Sequence, residues 1–192
     1  MSAHLDIVGS IIIAGMLLFG IAQYHADRQA ALVNVSSQSS NQQYLESATS
    51  LLMFDLRKAG YRVQSGNAFL VCEPTRVVFR GDLENDGKVD TVTYIWRGAV
   101  TYTPNPRDTL LWRLVNVPAA MSMTGSSLGR GSDLGIVGLR FRYYTSTGAE
   151  TTTPSAVRTV RVTLQIQSRY PIGGEYQEIS SDFRVTPKNI GL

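Results

Sequence analysis

The chain has 192 residues, a formal net charge of +3, one cysteine and two histidines. That length admits one domain with a proper core plus an appended element. The lone cysteine, Cys72, excludes an internal disulfide and a cysteine-rich metal centre, and reads as a quiet strand residue. The Lys and Arg residues are scattered, so the linear sequence offers no basic stripe and no nucleic-acid partner is expected. Charged residues make up 17% of the chain, below the ~25% usual in soluble domains, and the deficit lies at the N-terminus.

Residues 7–24, IVGSIIIAGMLLFGIAQY, carry no charge. A stretch of that length sits at the lower limit for crossing a hydrocarbon core of about 30 Å. A secretory signal would need a basic residue before it and a small-residue cleavage site after it. Here His4 and Asp6 precede it, and the first basic side chain is Arg28. Helical character then continues without proline, and without glycine between Gly20 and Gly60. Leu45, Ala48, Leu51, Leu52, Leu56 and Ala59 recur at the spacing of one helical face. Lys58-Ala59-Gly60 reads as a basic last turn followed by a glycine stop. The polar run SSQSSNQQ at 36–43 is a poor helix former, but periodicity resumes in phase after it, so one continuous helix is expected.

Three regions follow: an all-apolar half-helix at 1–25, an amphipathic half-helix at 26–60, and a β-rich domain at 61–192. The amphipathic half can pack on its own domain. The apolar half has no such face, and must enter lipid or bury itself among copies of itself.

Beyond residue 61 the apolar period changes from 3.6 to 2. Strands are predicted at 76–80, 91–96, 110–114, 137–143, 157–166 and 182–185, with turn clusters at 86–87, 103–107, 124–135, 145–154 and 171–175. Short connections imply an antiparallel sheet, one face against the helix and one wet. The fold class is therefore α+β. Arg140, Arg142, Arg158 and Arg161 sit among apolar neighbours on these strands and read as a solvated sheet face rather than as an anion site. No catalytic constellation emerges: both histidines, His4 and His25, fall on the apolar helix, and no GxSxG elbow or glycine-rich phosphate loop is present. The chain is not expected to be an enzyme.

The segment 82–90, DLENDGKVD, places Asp82, Glu84, Asp86 and Asp90 at positions 1, 3, 5 and 9 of an EF-hand-like count, with Gly87 at position 6 and the Lys88 carbonyl at 7. Alternating hard oxygens around a glycine turn suit a structural Ca2+. The twelfth position is Thr93, not the bidentate Glu, so a true EF-hand is excluded. A plain Asp-Gly hairpin turn accounts for the same residues, and both readings stand at this point.

An apolar N-terminal helix, an amphipathic continuation ending in DLRKAGY at 55–61, and a β-meander together resemble type IV pilins and type II secretion pseudopilins. The phrases GDLENDGKVDTVTY at 81–94, LLWRLVN at 110–116, GIVGLRFRYY at 135–144 and the closing RVTPKNIGL are most similar to the W-type minor pilins and J-type pseudopilins. The resemblance implies a structural subunit that partners copies of itself or other pilin-like subunits. It would be stored in the bacterial inner membrane and assembled into an extracellular or periplasmic filament or its tip. Counted from Ser2, Asp6 occupies the fifth position, where the family carries its assembly glutamate; counted from Met1 it is one place out of register. The family's basic leader and its helix proline near position 22 do not occur in this sequence. Two other readings are a single-pass protein displaying its β-domain as a binding module, and an exported hydrolase or lectin with an uncleaved anchor.

Overall fold

The computed structural model describes the backbone of residues 2–100, 103–116, 126–127, 135–168 and 170–190, and their side chains except those of 2–6, 30, 33, 34, 37, 126 and 127. One helix, α1 (Ser2–Arg57), is followed by β1 (Phe69–Glu73), β2 (Arg76–Gly81), β3 (Asp90–Ala99), β4 (Thr109–Val115), β5 (Ser126–Ser127), β6 (Gly135–Tyr144), β7 (Thr159–Gln167) and β8 (Glu178–Val185). The polar run at 36–43 is helical, as its lack of glycine and proline allows.

The chain divides into two compact units, Met1–Ser39 and Ser40–Leu192. Leu32 and Val35, 70% and 66% exposed, fall in the first of these units. In the first unit the helix is bare.

In the second unit every strand pairing is antiparallel, in the order β1-β2-β3-β4-β6-β7-β8, with β5 beside β4. The α+β class is thus as expected from the change of period. The last turns of α1 lie on this sheet: Leu52, Leu56 and Ala59 are fully buried, with Leu45, Ala48 and Met53 packed around them. The opposing sheet face supplies Phe79, Tyr94, Leu111, Phe141, Val162 and Leu164 to the same core. Full burial of each such side chain is worth about 1.5–3 kcal/mol.

The helix stops where the sequence said it would. Gly60 has φ +82°, and a Cβ there would stand 2.6 Å from the Asn189 carbonyl oxygen. Only glycine meets both conditions without strain. The Gly60 amide donates to the Arg80 carbonyl at 2.8 Å, and the Tyr61 amide returns to the Lys58 carbonyl at 2.9 Å. Gly81 on β2 also backs onto the Lys58 carbonyl with no room for a Cβ.

A buried polar anchor fixes the same helix end. The Asp55 carboxylate is fully buried and accepts hydrogen bonds from the Tyr94 hydroxyl at 2.6 Å and from Arg113 Nε at 2.6 Å and Nη2 at 3.3 Å. Burial, then the facing Asp55 carboxylate, pushes the Tyr94 hydroxyl far above its ordinary pKa, so it remains a donor. Cys72 is buried on β1, and burial pushes its thiol up to about 11, as fits a quiet strand residue.

Candidate assembly helix and acidic loop

Residues Ile7–Gln29 form the one candidate membrane span among the described residues, with a mean hydropathy of 2.0 and none of the window buried. Eleven large apolar side chains between Ile7 and Tyr24 are each at least 53% exposed, among them Ile11, Met16, Leu18 and Phe19. At 1.5 Å per residue the span measures about 35 Å, enough to cross a bilayer core. Arg28, the one Lys or Arg of that segment, has its guanidinium 5.5 Å from the centre of the Tyr24 ring. That arrangement is a cation–π contact at the edge of the apolar run. The backbone of Asp6 is helical, while its side chain lies outside the described residues.

The acidic loop is folded by its own carboxylates. Asp82 is fully buried and accepts from the Asp86 amide at 3.2 Å, the Gly87 amide at 3.0 Å and Arg62 Nη1 at 2.9 Å. Burial acts to raise its pKa; the amides of Gly87 and Asn85 and the Arg62 guanidinium outweigh that and hold the carboxyl below the usual range. Asp90 accepts from the Leu83 amide at 3.0 Å and from Asn116 Nδ2 at 2.7 Å. Asp86 accepts from the Lys88 amide at 2.9 Å and faces the Lys88 ammonium at 3.8 Å. Asn85 and Gly87 take positive φ, +61° and +88°, which the tight turn needs. Glu84 is exposed.

Asp82, Glu84, Asp86, Lys88 and Asp90 therefore share one loop, but their carboxylates are turned toward separate partners. Among the described residues no group of three or more acidic, His or Cys side chains is arranged to hold a metal. At Asp82 the Arg62 guanidinium supplies the positive charge that faces the carboxylate. Arg62 was the residue the sequence pattern missed. It lies 20 residues upstream, and its left-handed φ of +58° gave no sequence signal because non-glycine residues seldom adopt it.

A groove of about 450 Å³ lies beside the helix end, walled by Phe54, Tyr61, Arg57, Lys58, Lys188 and Asn189. The Lys58 ammonium sits 5.7 Å from the Phe54 ring centre and 5.0 Å from that of Tyr61, and donates to Asn85 Oδ1. The groove brings together cations and aromatic rings, not a nucleophile with a base. No protein-family model, curated protein or solved structure matches the chain.

Proposed function

We propose that this chain is a pilin-like structural subunit. It is held in the bacterial inner membrane by its N-terminal helix, then built through that helix into an extracellular or periplasmic filament or its tip. The observation that carries the reading is the bare apolar helix. Eleven large apolar side chains exposed over 18 residues demand cover from lipid or from other helices. Exposure of Leu32 and Val35 beyond the Ile7–Gln29 span favours cover by neighbouring helices. A simple anchor needs no apolar surface outside the bilayer, whereas a helix bundle does.

In this reading Asp6 neutralises the α-amino group of an adjacent subunit and sets the axial register. A carboxylate among apolar helices costs several kcal/mol unless it is paired, and the sequence around it holds no Lys or Arg before Arg28. Electron microscopy of fibres sheared from cells, labelled with an antibody to the β-domain, tests the proposal. Label on fibres in the wild type, lost in Asp6→Ala while membrane insertion persists, is the expected result. Chain that stays in the membrane fraction with no labelled fibre would overturn it and leave the single-pass binding module.

A further inference from the structure

Strand register gathers arginines that the linear sequence scatters. Arg142 on β6 pairs with Arg161 on β7, and Arg161 pairs with Arg184 on β8. Three guanidinium side chains thus stand in one row across three strands, on the face turned away from the core. Neighbouring strands lie about 4.8 Å apart, and like charges directly opposite each other destabilise a sheet. The next row adds Arg140, opposite Thr163, which pairs with Asp182.

Asp182 is the one carboxylate in these two rows. It accepts from Arg161 Nε at 2.8 and 3.1 Å and from the Thr163 hydroxyl at 3.0 Å. Arg184 stacks on the Tyr144 ring at 5.4 Å. Arg140 and Arg142 have no side-chain hydrogen bond or ion pair among the described residues. Four arginines against one carboxylate leave an excess of three positive charges in these two rows, as large as the net charge of the whole chain.

The chemistry of the face selects its partner. Its other outward residues are Gly138, Tyr144, Thr159, Gln165, Gln167, Ser180 and Glu178, the last paired with Arg107 at 3.8 Å. No aliphatic side chain lies among them, so the face lacks the apolar centre of an ordinary protein interface. It also lacks the apolar wedge with which peripheral proteins enter a lipid surface. What it presents is Arg, Thr, Ser, Gln and Tyr, the donor set that contacts phosphates and sugars in nucleic-acid complexes. Guanidinium groups suit phosphate in particular, since their fork binds two oxygens at once.

We propose that the outer face of β6–β8 binds the phosphate backbone of nucleic acid without reading its sequence, through Arg140, Arg142, Arg161 and Arg184. The surface acts whether or not the N-terminal helix assembles. Three uncompensated charges give a salt slope, log K against log salt, of about −2 for a single strand. Affinity then falls roughly twentyfold between 50 and 200 mM salt.

The test is fluorescence anisotropy of a labelled 20-nucleotide single strand, titrated with the full chain in a neutral detergent. Arg142→Gln should flatten the slope by about 0.7, and Arg140→Gln combined with Arg142→Gln by about twice that. Arg142→Lys should keep the slope, and Arg97→Gln, an exposed arginine on β3, should change nothing. Tryptophan fluorescence checks that each variant remains folded. An unchanged slope in the double variant overturns the proposal. So does polyglutamate competing as well as unlabelled oligonucleotide, which would make the face a site for acidic protein instead.

Discussion

Asp55→Ala should be the most damaging single substitution on the sheet-facing part of α1. The carboxylate it removes is fully buried and satisfies three donor groups, the Tyr94 hydroxyl and two nitrogens of Arg113. Without it, a fully buried phenol has no acceptor, at a cost of about 1–3 kcal/mol. The Arg113 side chain, 24% exposed, loses the one counter-charge it has among the described residues and recovers part of its hydration. Removing one partner of a buried pair typically costs about 3–5 kcal/mol in all. For a unit the size of Ser40–Leu192 that is a fall of roughly 6–20 °C in the thermal midpoint. Both tryptophans, Trp96 and Trp112, lie on β3 and β4, so fluorescence melting of the full chain in detergent reports on the sheet and not on the bare helix. The exposed Arg161–Asp182 pair provides the comparison: Asp182→Ala should cost no more than about 1 kcal/mol. If Asp55→Ala costs no more than Asp182→Ala, the buried anchor does not hold the helix to the sheet.

Gly60→Ala should destabilise by about 1–3 kcal/mol, since the added Cβ meets a φ of +82° and the Asn189 carbonyl at 2.6 Å; chemical denaturation of the variant measures it. Asp108 is 1% exposed, and neither of its carboxylate oxygens has a hydrogen-bond partner among the described residues. Burial raises its pKa, outweighing the nearby Thr103 hydroxyl, which lowers it from beyond hydrogen-bond geometry, so the folded state holds the proton longer than the unfolded chain, and stability falls as pH rises from the unfolded value near 3.9 through the folded one. Asp108→Asn should therefore stabilise the chain at pH 7 by about 1 kcal/mol and flatten this slope in thermal melts run across pH. Asp82 has the opposite sign: its lowered pKa gives stability that is present above the unfolded value and lost as pH falls through the folded one. With Arg62 and two amides already on Asp82, millimolar Ca2+ should leave the melting midpoint of the wild type unchanged; a rise of several degrees would decide for the metal-bound loop over the plain turn. Deleting residues 1–39 should give a soluble monomer with an unchanged tryptophan melt, as sedimentation and fluorescence can establish.

The elements were legible wherever a local period announced them. The stripe from Leu45 to Ala59 named the buried helix face, and Gly60 named its end. β1 was missed because its five residues, FLVCE, are too short for alternation to register. β8 was read from 182 and begins at Glu178, since Ile179-Ser180-Ser181 carries little β-branched signal. The expected turn cluster at 124–135 lies almost wholly outside the described residues.

What the sequence withheld is of one kind: polar partnership across long separations. Asp55 and Arg113 stand 58 residues apart, and in isolation each reads as a solvent-facing charge. Arg62 and Asp82 look unrelated until a left-handed residue turns the chain back. Charge spacing read along 82–90 suits a shared cation or a plain hairpin turn alike. The fold turns Asp82 inward to Arg62 and the loop amides, and Asp90 to Leu83 and Asn116, partners that the spacing does not announce. The arginine row obeys the same logic in reverse. Arg142, Arg161 and Arg184 are each unremarkable in a strand with a wet face, and only antiparallel register makes them neighbours. Periodicity therefore locates surfaces, while register decides what chemistry a surface holds. The bare helix at 7–29 is the case in which periodicity suffices, because a segment apolar on every side needs no partner within its own chain to be recognised.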